Sequence, residues 1–65
     1  MFKFNKGDKV VIYEGRMFAA AFGGPADNSI SEPCKITACR VHNGINQYKL
    51  KGYTSWCDEE YLGEA

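Results

Sequence analysis

The sequence predicts a mostly β fold: a small barrel of four to five antiparallel strands, with a short helical insertion after the first strand. Three observations carry this expectation. Stretches rich in β-branched residues, 9–13 and 34–41, lie on either side of an irregular segment. Asn43-Gly44 follows the second stretch and is a strong hairpin signal. A single stretch, 16–22, carries three alanines in a row, and Gly23-Gly24-Pro25 stops it.

Taken in order, Gly7-Asp8 is turn chemistry leading into the first strand. Side chains alternate between faces along a strand, so Val10 and Ile12 share one face and Val11 and Tyr13 the other. Both faces are apolar. Something besides the barrel core must cover Val11 and Tyr13, or they form a contact surface. Gly15 is expected to end the strand. Arg16 to Phe22 then forms a short helix with Phe18 and Phe22 four apart on one side. The polar residues 26–33 follow as a loop. The whole connection, 14–33, is long for so small a fold, and long loops are commonly functional.

In the second strand Cys34, Ile36 and Ala38 alternate with Lys35 and Thr37, after which the apolar parity switches to Cys39 and Val41. That switch predicts a bulge or bend near Ala38, as small barrels need to close. The return strand, 47–51, points Tyr48 and Leu50 inward and both lysines outward until Gly52 breaks it. Ser55-Trp56-Cys57 is a short fourth strand. Asp58 is placed to cap one helical turn, Glu59 to Leu62, which Gly63 closes. The expected core is Phe2 or Phe4, Val10, Ile12, Ile36, Val41, Tyr48, Leu50, Cys57 and Leu62.

Sixty-five residues make one domain, 1–65. Folds of this size gain only a few kcal/mol, roughly 3–5, from their core, and often add a disulfide, a metal or a partner subunit. Eight basic and eight acidic residues cancel, whereas a nucleic-acid binder normally carries a basic excess. There is no long apolar run for a membrane span and no signal-peptide pattern, so the expected location is the cytoplasm. Three cysteines without a tight framework fit reduced thiols.

Phe-x-x-Gly-Asp-x-Val at 4–10, the Asn-Gly hairpin, Tyr-x-Leu-x-Gly at 48–52 and Trp-Cys-Asp-Glu-Glu-Tyr-Leu at 56–62 together resemble SH3-like small barrels. The nearest flavour is that of bacterial and phage Tudor-like or KOW-like domains. The resemblance covers 2–13 and 34–62 and implies a barrel scaffold. It implies no single function, because that fold hosts many. The acidic aromatic stretch of eukaryotic SH3 domains is missing, so Pro-rich peptide recognition is not carried over.

Cys34, Cys39, His42 and Cys57 have the atoms for a zinc site, but structural zinc ligands usually pair at closer spacing on a turn. Core filler is the expected role of the cysteines, with no metal and no cofactor. A Cys–His catalytic pair lacks an orienting acid beside His42, and no enzyme activity is expected. Asp58, Glu59 and Glu60 are expected to form a solvated cap. Gly23-Gly24-Pro25 lacks the strand before it and the Lys-Ser/Thr after it that a phosphate-binding loop needs.

Aromatic side chains exceed what one small core can hold. Tyr13, Met17, Phe18, Phe22, Tyr53 and Trp56 form the expected partner-binding set, with Phe18 and Phe22 either hidden over the barrel mouth or exposed as an interface. Three functions follow. The first is a non-enzymatic binding module, of the kind a phage or mobile element uses to block a host defence factor, acting through 14–33 and able to self-associate. The second is an oligomeric sponge for a nucleotide-like molecule, with aromatic rings on the base and Arg16, Arg40, Lys49 or Lys51 on phosphate. The third is a nucleic-acid-associated domain using Lys35, Arg40, Lys49 and Lys51, which the zero net charge disfavours.

Overall fold

The computed structural model describes residues 1–65. Its elements in chain order are β1 (Lys9–Ile12), α1 (Glu14–Phe22), β2 (Cys34–His42), β3 (Ile45–Leu50), β4 (Cys57–Asp58), a single 3-10 turn (Glu59–Tyr61) and β5 (Leu62–Glu64). The five strands form one antiparallel sheet in the order β4-β3-β2-β1-β5, compatible with an SH3-like barrel. No helix is long and apolar enough to cross a membrane.

Period-2 patterning accounts for the core. Val10 and Ile12 of β1, Ile36 of β2 and Tyr48 and Leu50 of β3 are fully buried, joined by Phe4, Cys57 and Leu62. The hairpin forms as its sequence requires. His42 pairs with Ile45, and both intervening residues, Asn43 at φ 52° and Gly44 at φ 76°, take the left-handed conformation of a two-residue turn. The parity switch is a bulge: Ile36 faces Leu50 while Ala38 faces Lys49, leaving Thr37 between them.

Five expectations are corrected. Val41 is not core but 60 % exposed, because it lies near the hairpin tip, opposite Asn46 and beyond the buried part of the sheet. Gly15 does not end β1; it lies buried in the first turn of α1, where the absence of a side chain admits Asp27. Asp58 precedes the 3-10 turn but makes no capping bond, since its carboxylate accepts a 2.7 Å bond from Gln47 Nε2 instead. Gly63 closes nothing. It lies in β5, opposite Val11, and Tyr13 occupies the space its side chain would fill. Only Cys57 of the expected 55–57 strand is paired, with Tyr48.

The 14–33 connection is tied down despite its length. Ser31 pairs with Ile12 twice: Ile12 N–H donates to Ser31 Oγ (2.8 Å), and Ser31 N–H donates to Ile12 O (2.9 Å). Gly15 N–H donates to Ser29 O at 3.3 Å, and Ser29 N–H to Asp27 Oδ1 at 2.9 Å. The loop thus runs back along β1 and props up the start of α1. Gly23, at φ 81°, ends the helix with its N–H on Ala19 O.

Candidate functional site

Helix α1 stands between two depressions lined by different aromatic side chains. Met17 packs against the core. With Ile12, Tyr53, Trp56 and Cys57 it lines a shallow groove of about 330 Å³. On the other flank Phe18 and Phe22 border an open cleft of about 450 Å³, completed by Gly15, Pro25 and Asp27. One helical turn separates the two phenylalanines, so they emerge on the same side. Their ring centroids are 6.3 Å apart. Phe18 is 51 % and Phe22 83 % exposed, so the helix packs Met17 on the core and turns its phenylalanines outward.

The remaining predicted residues fall into separate places. Tyr13 is half-buried against β5 and carries the Arg16 guanidinium 4.8 Å from its ring centroid. Trp56 is half-buried, with the Arg40 guanidinium 4.4 Å and the Lys49 ammonium 5.6 Å from its centroid. Arg40 is held there by its Nε–H, which donates to Gln47 Oε1 at 2.8 Å, and Gln47 passes the chain on to Asp58. Lys51 is in neither group. It lines a different depression with Lys6 and Lys35. The set expected to hold phosphate is therefore split three ways, and Tyr53 alone of the predicted aromatics shares the Trp56 groove with Met17.

All three cysteines are free thiols, Cys57 buried and Cys34 and Cys39 half-buried. His42 is exposed beside the hairpin turn, and no three His, Cys, Asp or Glu side chains gather to hold a metal ion. Burial, then the neighbouring Asp58 and Cys34, pushes the Cys57 thiol pKa up, a direction that disfavours the nucleophilic thiolate. The Tyr53 hydroxyl is likewise pushed up, by burial first and by Cys34 second.

Glu59 has a part that its sequence position does not reveal. Expected only as a solvated cap, its Oε2 accepts from Tyr48 Oη–H, from Lys3 N–H at 3.0 Å and from Asn46 Nδ2 at 3.1 Å. The partners lie on two segments, the N-terminal stretch and β3, both distant from Glu59 in the chain, so no local pattern marks them. No family model, no curated protein and no solved structure matches the chain.

Proposed function

We propose that this protein is a non-catalytic docking module and that its partner surface is the outer flank of α1, with a second copy of the chain as occupant. The observation that carries this reading is the exposure of Phe18 and Phe22 beside an open cleft. A protruding ring and a recess on one face are self-complementary, as a two-fold interface requires. Aromatic side chains dominate the energetics of such contacts. A core of eight buried residues leaves little stability to spare, which an interface would supplement. The non-catalytic part of the reading is supported by the burial of Cys57, whose thiol pKa is pushed up, a direction that weakens it as a nucleophile.

Sedimentation of the wild-type chain against the double variant Phe18→Ser, Phe22→Ser tests the proposal. Both side chains point away from the core, so the variant is expected to keep the wild-type circular dichroism spectrum and to sediment as a monomer. The wild type is expected to form dimers at micromolar to millimolar concentration. A wild type that stays monomeric throughout, or a variant that dimerises equally well, overturns the self-docking reading.

A further inference from the structure

A second surface, remote from α1, has the chemistry of an anion site. Lys6, Gly7, Lys35, Ile36, Thr37 and Lys51 line an open depression of about 530 Å³. Three of the eight basic residues thus meet at one recess, and no carboxylate is among its lining side chains. Asp8, in the adjoining turn, has its Oδ2 engaged by Asn5 N–H at 2.9 Å. Each lysine arrives on a different segment: Lys6 on the turn before β1, Lys35 on β2 and Lys51 on the turn after β3.

The segments are fixed to one another by backbone bonds. Gly7 N–H donates to Ile36 O and Ile36 N–H to Asp8 O, both at 2.9 Å, and Lys51 N–H donates to Lys35 O at 2.8 Å. The lysines therefore spring from rigid points, and only their side chains need ordering when an anion enters. The bulge at Thr37 lies in the same recess, and bulges are over-represented next to functional sites. Lys9 pairs directly with Lys35 across β1 and β2. Like charges placed opposite each other destabilise a sheet, and an anion on Lys35 would ease that repulsion.

We propose that this recess binds a compact oligophosphate, with Lys6, Lys35 and Lys51 as its three ammonium contacts. Lysine is a point-charge phosphate binder with three donors on a flexible stem. Compactness follows from the charge layout. Lys49 and Arg40 continue the basic charge only part of the way along the β2–β3 ladder, and Asp58, Glu59 and Glu60 line the recess at its far end, so the basic run is too short for an extended polyanion. The site shares no lining residue with the cleft beside Phe18 and Phe22 and stands independently of the docking proposal.

The test is calorimetric titration of the whole chain with inorganic tripolyphosphate and, in parallel, with a nucleoside triphosphate, at low and at physiological salt. Binding is expected at low salt and should weaken as salt rises. The triple variant Lys6→Gln, Lys35→Gln, Lys51→Gln should lose affinity by roughly tenfold per lysine, while Lys3→Gln should bind as the wild type does. Equal affinity for the two ligands assigns the site to the phosphate chain alone, and tighter binding of the nucleoside triphosphate assigns it to a nucleotide. Amide NMR shifts at Gly7, Thr37 and Gly52 should accompany binding. No binding of either ligand at low salt, or a triple variant that binds as tightly as the wild type, overturns the proposal.

Discussion

Tyr48 donates its phenolic hydrogen to Glu59 Oε2 at 2.5 Å, tying the largest fully buried side chain of the core to the last turn of the chain. The same hydroxyl accepts Phe4 N–H at 3.2 Å, and Glu59 accepts Lys3 N–H. The N-terminal segment is thereby clasped between β3 and the 3-10 turn, with Phe2 and Phe4 edge-on to the Tyr48 ring at 5.9 and 5.6 Å. Tyr48→Phe keeps the ring and its aromatic contacts but removes the hydroxyl from a buried position. It should cost about 1–3 kcal/mol in urea unfolding. Glu59→Gln should cost a similar amount and speed hydrogen exchange at the amides of Lys3 and Phe4. An unchanged exchange rate at those amides would deny Glu59 its role as a clasp.

The pair also sets the pH range of stability. Bonds from Tyr48 and from Lys3 N–H hold the Glu59 carboxyl below its ordinary value of 4.5. A carboxylate lowered in the folded state adds stability that is present above its unfolded pKa and lost as pH falls through its folded one. Burial first, and Glu59 second, raise the Tyr48 hydroxyl above 10.0. That contribution is present below the unfolded value and lost as pH rises through the folded one. The melting temperature should therefore decline below about pH 4.5 and above about pH 10. Glu59→Gln should only soften the acid limb, because the Asp27 carboxyl is also lowered, by its bonds with Ser29. Tyr48→Phe should only soften the alkaline limb, because Cys57, Tyr53 and Tyr61 are also raised.

Features dictated over a few residues were legible in the sequence. Asn43-Gly44 announced its own turn, Val10 and Ile12 their own face, and the break in alternation after Ala38 its own bulge. Features made by distant segments were not. Leu62–Glu64 is too short to show a strand pattern, and its partner β1 lies near the other end of the chain. Gly15 looked like a strand breaker because nothing local reveals that Asp27 must approach it. The aromatic surplus was readable, but only packing decided that Met17 turns inward and Phe22 outward.

Gly15 is the sharpest backbone constraint in the connection. A Cβ there would lie 2.5 Å from the backbone oxygen of Asp27 and 2.9 Å from its carbonyl carbon. Alanine is favoured over glycine within a helix by about 1 kcal/mol. Here the clash should win, because the Asp27 backbone cannot retreat without loosening the Ser29 bonds to Gly15 and Asp27. Gly15→Ala should destabilise by about 1–3 kcal/mol. Gly63→Ala meets only the far end of the Tyr13 side chain, which can swing aside, so its cost should be the smaller of the two. Paired urea titrations decide the ranking, and a stabilised Gly15→Ala would show that the loop yields.

The two flanks of α1 should separate stability from docking. Met17→Ala removes a side chain packed on the core and should cost on the order of 1–3 kcal/mol, below the range for a fully buried methionine because Met17 is only half-buried. Phe22→Ser alters a ring that meets mainly solvent and Phe18, and should stay within about 0.5 kcal/mol of the wild type. A Phe22→Ser cost as large as that of Met17→Ala would place the ring among the groups that hold the fold.

Trp56 is the sole tryptophan, and its stacking partners make it a local reporter. The Arg40 guanidinium lies 4.4 Å from its centroid and is oriented by Gln47, whereas Lys49 at 5.6 Å is farther off. A cation over a partly exposed indole adds about 0.5–1 kcal/mol. Arg40→Gln should therefore destabilise by about that amount and alter Trp56 emission more than Lys49→Gln does. A double-mutant cycle with Trp56→Leu isolates the stacking contribution from the Gln47 bond, and a coupling near zero would mean the guanidinium is held by Gln47 alone. Because Trp56 lies outside the lysine recess, tripolyphosphate binding should leave its emission unchanged. A ligand entering the Met17–Tyr53 groove should quench it, so one fluorescence titration distinguishes the two surfaces.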